Sequence, residues 1–141
     1  MPETSDLTTV AGIIAGFGVA MLFFRIQREL EMGKAGERVW IPWADWLIVI
    51  ATLCSLLLVL LPLLILSQNN IAKAVSTSAC VASVVLLTGY VFAILAHYRL
   101  LFSCGRSGPR YNPEPSERIL VFLSTIIAGS LALSILIINL I

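Results

Sequence analysis

Four long apolar runs, separated by short polar stretches, dominate the sequence. They are Leu7 to Phe24, Trp46 to Leu66, Ala79 to Ala96 and Ile119 to Ile141. As an α-helix, the first run would be roughly 27 Å long, close to the ~30 Å hydrocarbon thickness of a bilayer. Membrane β-strands need about ten residues of alternating polarity, whereas these runs are longer and do not alternate. The pattern predicts an all-α membrane protein that crosses the bilayer four times.

The predicted spans form a single membrane domain over residues 1–141. A short turn, residues 67–73, separates the second span from the third, so these two helices must be antiparallel neighbours. Longer polar loops cover residues 28–42 and 100–117. We therefore expect an antiparallel four-transmembrane-helix bundle with spans at residues 7–27, 43–66, 74–99 and 118–140.

The start of the first loop has helical character. Arg25 and Glu29, like Arg28 and Glu31, have the spacing of ion pairs on one helix face, and Gly33 is a suitable helix end. We therefore expect the first helix to extend beyond the hydrocarbon.

Proline residues mark two further positions. Pro62 lies inside the second run, where we expect it to kink the helix rather than stop it, because unwound backbone in lipid would leave polar groups unpaired. Pro115 and Ser116 precede the fourth run, where Ser116 is the expected N-cap.

Composition supports a membrane location. Hydrophobic residues make up 59% of the chain and charged residues 12%, against about 25% charged in soluble domains. The three cysteines, Cys54, Cys80 and Cys104, lack a C-x-x-C spacing and do not indicate a disulfide framework. We expect the protein to lie in a cell membrane, and we favour a bacterial inner membrane over a eukaryotic membrane.

The charge distribution predicts the orientation. Eight of the nine basic residues lie in or beside the two longer loops, and Lys73 alone lies on the other side. Because short cytoplasmic loops are rich in Lys and Arg, both loops are expected in the cytoplasm and both termini outside. The net charge of +1 gives no indication of a nucleic-acid partner. The basic loops are expected to attract anionic lipid headgroups.

A polar cluster is predicted at the cytoplasmic ends of the helices. It comprises Asp45 near the start of the second helix, and His97 and Arg99 near the end of the third. Asp45 is expected to meet His97 where the two helices pack. Asp45 can instead serve only to complement the helix dipole, and His97 only to anchor the helix at the interface.

Small residues on the first helix indicate helix packing. Gly12 and Gly16 form a G-x-x-x-G pattern that Ala20 extends, which permits close approach by another helix. The partner can be a helix of the same bundle, a second copy or a larger membrane complex.

The positions of the charged residues limit the function classes that the sequence allows. No charged residue falls near the centre of a span, although proton-coupled carriers and pumps need ionisable groups there. The sequence has no recognisable catalytic, metal-binding or cofactor-binding motif. We expect a non-enzymatic scaffold or accessory subunit. One alternative is an enzyme with its site at the membrane interface near Asp45, His97 and Arg99. The other is a small homo-oligomeric channel or carrier for a small solute, lined by the hydroxyls of Ser76, Thr77, Ser83 and Thr88.

The orientation can be tested by cysteine labelling in a background without native cysteines. A cysteine at Ser67 should react with a membrane-impermeant reagent added outside, and one at Ser107 only after permeabilisation, because the basic loops are predicted to be cytoplasmic. The reverse labelling pattern would contradict the assignment.

Overall fold

Four long helices form the fold. A computed structural model describes residues 3–36, 42–66, 69–101 and 114–141, and the secondary structure within these ranges is entirely helical. All four helices are long and apolar enough to cross a membrane, which confirms the predicted all-α class and the number of such helices. They are α1 (Thr4–Lys34), α2 (Ala44–Ile65), α3 (Asn70–His97) and α4 (Pro115–Leu140).

The helices extend into segments that were predicted as loops or turns. Helix α1 continues through residues 28–34 of the predicted loop 28–42, because the Arg, Glu, Leu, Met and Lys residues there are good helix formers. This confirms the expected helical start of the loop, and the helix ends one residue beyond the predicted end at Gly33. Helix α3 begins at Asn70, within the predicted turn 67–73. The side chain of Asn69 accepts a hydrogen bond from the Ile71 N–H at 2.8 Å and stabilises this first turn.

Helix α4 begins at Pro115, within the predicted loop 100–117. The predicted N-cap Ser116 is wrong: Glu114 occupies the N-cap and Ser116 lies inside the helix. Proline is well suited to a first helical position, because its fixed φ is helical and its missing N–H would have no intrahelical acceptor there.

Pro62 is accommodated by a π-helical segment, Ser55–Leu60, inside α2. The N–H of Leu61 bonds to the carbonyl of Leu56, five residues earlier. The helix then continues through Pro62 to Ile65. Proline cannot donate a hydrogen bond to the preceding turn, and the wider turn precedes it directly. The expectation that Pro62 does not stop the helix is confirmed.

Neighbouring helices run antiparallel. Helices α1 and α2 meet at Gly18–Thr52 and again at Arg25–Asp45, so increasing numbers in one correspond to decreasing numbers in the other. Helices α3 and α4 meet in the same way, at Gly89–Ser124 and His97–Glu117. Helix α3 packs against all three other helices, while α4 packs mainly on α3.

Two clusters of buried apolar residues form the core. The larger joins all four helices at the end where α2 begins, and the smaller joins α1, α2 and α3 towards the opposite end. Among the buried members of the larger cluster are Leu47, Ile48, Leu86, Tyr90 and Val121. The smaller cluster contains Leu7, Ala11, Val59, Leu63, Ala79 and Cys80.

Close helix approach depends on two glycines, neither of which belongs to the predicted pattern. A Cβ added at Gly18 would overlap the side chain of Thr52, and one at Gly89 would overlap that of Ser124. By contrast, a Cβ at Gly12 or Gly16 would meet no atom within 4 Å. The structure therefore leaves the G-x-x-x-G face, including the exposed Ala20, outside the bundle.

Alanine substitutions separate these two kinds of glycine. Gly18→Ala and Gly89→Ala should lower the free energy of unfolding by about 1–3 kcal/mol, because the new methyl group overpacks a helix contact. Gly12→Ala and Gly16→Ala are the matched controls. They should not lower the free energy of unfolding of the bundle, since alanine is the better helix former. SDS titration of the protein in mixed micelles measures the four values. Equal effects at all four positions would contradict the packing described.

Candidate functional site at the ion-paired end

Three acid–base pairs lie at one end of the bundle. The antiparallel topology brings the ends of α1 and α3 beside the starts of α2 and α4. The pairs are Arg25–Asp45, His97–Glu117 and Arg99–Glu114, and we call the region they form the ion-paired end.

The Arg25–Asp45 pair connects α1 to α2. The Nε of Arg25 donates to Oδ2 of Asp45 at 3.1 Å, and Nη2 lies 3.0 Å from the same oxygen. Asp45 is in the first turn of α2, where a carboxylate is favoured by the positive end of the helix dipole. The contact of Nη2 is an ion pair without the geometry of a hydrogen bond. Nη2 and Oδ1 of Asp45 are both buried, and neither makes a hydrogen bond within the described residues. The pair thus retains unused hydrogen-bonding capacity.

Glu117 is fully buried and contacts two other helices. Its Oε2 lies 2.7 Å from Nδ1 of His97 on α3. Its Oε1 accepts a hydrogen bond from the backbone N–H of Ala44 at 3.0 Å. Ala44 is the first residue of α2, so its N–H has no acceptor inside that helix. One carboxylate from α4 therefore joins the start of α2 to the end of α3.

Arg99 closes the C-terminus of α3 in an unusual backbone conformation. Its φ is +56°, a left-handed region usually occupied by glycine after a helix. The N–H of Leu100 bonds to the carbonyl of Leu95, which satisfies one of the last carbonyls of the helix. Nε and Nη2 of Arg99 lie 3.0 and 2.8 Å from the same oxygen, Oε1, of Glu114. The ion pair joins the end of α3 to the residue that precedes α4.

Aromatic side chains surround the ion pairs. Arg28 donates a hydrogen bond to the hydroxyl of Tyr98, and its guanidinium lies 5.8 Å from the centre of that ring. The guanidinium of Arg118 lies 5.1 Å from the ring centre of Trp43, which packs edge-on against Phe122. Such cation–π contacts add to helix pairing at partly exposed positions.

The predicted cluster is only partly reproduced. Asp45, His97 and Arg99 all lie at the ion-paired end, but each pairs with a residue that the sequence did not indicate. The expected contact between Asp45 and His97 is replaced by Arg25–Asp45 and His97–Glu117. The predicted pairs within α1 are also replaced, because Arg25 and Arg28 turn towards Asp45 and Tyr98.

Glu117 and Glu114 are the residues that sequence reasoning missed. A signal for Glu117 was available: it is an acidic residue in the first turn of a span whose topology places it beside His97. No pattern in the sequence could show that its carboxylate would be buried rather than exposed.

An apolar groove of about 290 Å³ lies between α3 and α4. Its polar lining consists of Thr88 and Ser124, and none of Asp45, His97 and Arg99 lines it. These three side chains do not converge on this groove, so it gives no support to an enzyme site built from them. The remaining lining residues are Val84, Val85, Gly89, Phe92, Leu120, Leu123 and Ile127.

The hydroxyls considered as a solute path differ in their bonding. Thr77, Ser83 and Thr88 bond to carbonyls of their own helix at 2.8–2.9 Å. Ser76 on α3 and Ser55 on α2 are fully buried, and their hydroxyls have no partner within the described residues.

Within the described ranges, no group of three or more His, Cys, Asp and Glu residues is arranged to hold a metal ion. Cys104 and the glycine- and arginine-containing segment around it lie outside these ranges. Comparison with protein-family models, curated proteins and solved structures finds no match.

A pair of double-mutant cycles tests the pairing. Asp45→Asn combined with Arg25→Gln should show a coupling energy of about 1–3 kcal/mol, because the two side chains are in direct contact. Asp45→Asn combined with His97→Ala should show a smaller coupling energy, because the two side chains pair with different residues. Unfolding in mixed micelles gives both values. A larger coupling for Asp45 with His97 than with Arg25 would contradict the observed geometry.

Proposed function

We propose that this chain is a four-span integral membrane protein that acts as a non-enzymatic scaffold or accessory subunit of a membrane complex. In this proposal the ion-paired end faces the cytoplasm and both termini face outward. The supporting observation is how the bundle uses its polar groups: the buried acidic groups of the ion-paired end join one helix to another. Such pairing fixes helix positions and leaves the outer helix faces available to partners.

Membrane insertion is supported by the surface of α4. Its buried residues are Glu117, Val121, Ser124 and Ala128, and none follows Ala128. The second half exposes large aliphatic side chains, including Ile138, which is 74% exposed. An apolar surface of this length in water would promote aggregation, whereas lipid or another membrane helix would cover it.

Orientation is supported by the chemistry of the ion-paired end. Trp43 and Trp46 are exposed there, beside Arg28 and Arg118. Tryptophan favours the level of lipid headgroups, and basic residues favour the cytoplasmic side. Anionic headgroups are the lipid partner that this combination would attract.

A homo-oligomeric channel or carrier is the second candidate. It is favoured by the two unpartnered hydroxyls, Ser55 and Ser76, because buried polar groups in proteins are nearly always hydrogen-bonded. Water or a small polar solute passing between α2 and α3 would supply the missing partners.

Two measurements on the purified protein separate these functions. As a scaffold, the protein should copurify with a partner after mild detergent extraction, and liposomes containing the chain alone should show no more flux of ions or small solutes than empty liposomes. Reproducible flux that Ser76→Ala abolishes would overturn the scaffold proposal in favour of the channel. Ser134→Ala is the matched control, because Ser134 is exposed on α4 and bonds to the Ser130 carbonyl of its own helix.

A further inference from the structure

The outward face of α1 carries a repeating pattern from one end to the other. Its residues are spaced alternately three and four apart, and every one of them is exposed. This is the spacing of the a and d positions of a coiled coil. We call this face the α1 seam; it consists of Thr9, Gly12, Gly16, Val19, Phe23, Ile26, Leu30 and Gly33.

The α1 seam lies opposite the face that packs on the bundle. In the same heptad frame, the residues of α1 that contact its own bundle occupy positions c and f, with Ala15 and Leu22 at position g. They include the buried Leu7, Ala11, Ile14 and Gly18, and also Arg25, which pairs with Asp45. Packing α1 onto α2 and α3 therefore uses one side of the helix completely and leaves the a and d side free.

Lipid alone cannot cover the α1 seam. Helix α1 has 31 residues, about 46 Å at 1.5 Å per residue, while the hydrocarbon layer is about 30 Å thick. Leu30 lies beyond the predicted span 7–27 and among charged residues, yet it is 60% exposed, and it continues the exposed face that carries Ile26. An apolar face that continues past the hydrocarbon favours a protein partner.

The flanking charges favour a second copy of the same helix in parallel. With Ile26 at d and Leu30 at a, Glu29 occupies a g position and Lys34 the following e position. In a parallel pair, the g residue of one helix faces the next e residue of the other, where opposite charges attract. Neither Glu29 nor Lys34 is in an ion pair among the described residues.

We propose that the α1 seam is the self-association surface of the protein and that two copies pair through parallel α1 helices, with Glu29 of each copy against Lys34 of the other. The inference rests on the proposed membrane insertion, because copies inserted in the same orientation present α1 in parallel. Gly12 and Gly16 then permit close backbone approach, and Phe23, Ile26 and Leu30 fill the contact nearer the ion-paired end.

Disulfide cross-linking in isolated membranes tests the surface. In a chain with all native cysteines replaced by alanine, Phe23→Cys should form a cross-linked dimer on mild oxidation. Phe24→Cys is the matched control, because Phe24 is the next residue, is equally 66% exposed and lies at position b. We expect the dimer fraction at Phe23 to exceed that at Phe24 by roughly tenfold.

Charge reversal tests the parallel register. Glu29→Lys and Lys34→Glu should each weaken the dimer by about threefold to tenfold, because each places like charges opposite one another. The double variant, Glu29→Lys with Lys34→Glu, should restore it. Glu31→Lys is the control for the same change of charge at position b, and it should leave the dimer unchanged.

The outcomes distinguish this inference from the proposed function. A cross-link at Phe24 equal to that at Phe23, no cross-link at either, or a product of Phe23→Cys with a different protein would overturn self-association through the α1 seam. None of these results affects the scaffold proposal, provided that the protein remains in the membrane fraction after alkaline extraction. Release by alkaline extraction would overturn membrane insertion itself.

Discussion

A buried carboxylate on α4 determines how the helices meet at the ion-paired end. Glu117 is shielded from solvent, and removing a carboxylate from water is costly unless other groups replace its hydration. Here the replacements come from two different helices, the N–H of Ala44 on α2 and the imidazole of His97 on α3. Three helix ends are therefore fixed at one level, and the apolar lengths of the helices pack from that level onward.

The rest of the bundle depends on shape rather than charge. In the proposed membrane setting there is little hydrophobic drive between helices, and association depends on close packing and polar contacts. The described part of the chain shows both, at different depths. Gly18 and Gly89 bring backbones close to Thr52 and Ser124 along the helices, while ion pairs act at the end. Helix α4 has the fewest buried residues for its length, and Glu117 is one of only four that attach it to the bundle.

The sequence predicted the helices well and their partners poorly. Long apolar runs determine that helices form and where they lie, because the backbone must be hydrogen-bonded internally. Spacing alone does not show which face of a helix turns inward. For this reason Gly12 and Gly16 were noticed, whereas Gly18 was not. Likewise helical spacing predicted a pair of Arg25 with Glu29 on its own helix, whereas tertiary packing places Arg25 against Asp45 on the next helix.

The π-helical segment of α2 changes which residues the helix can bury. From Ser55 onward the buried positions of α2 are four apart, at Ser55, Val59 and Leu63, which is wider than the 3.6 residues of a regular turn. The wide turn at Ser55–Leu60 absorbs this difference. If the same six residues wound as a regular α-helix, Leu63 would rotate by about 100° relative to the preceding turns and leave the core. The wide winding of this short segment therefore determines which face the last turns of α2 can bury.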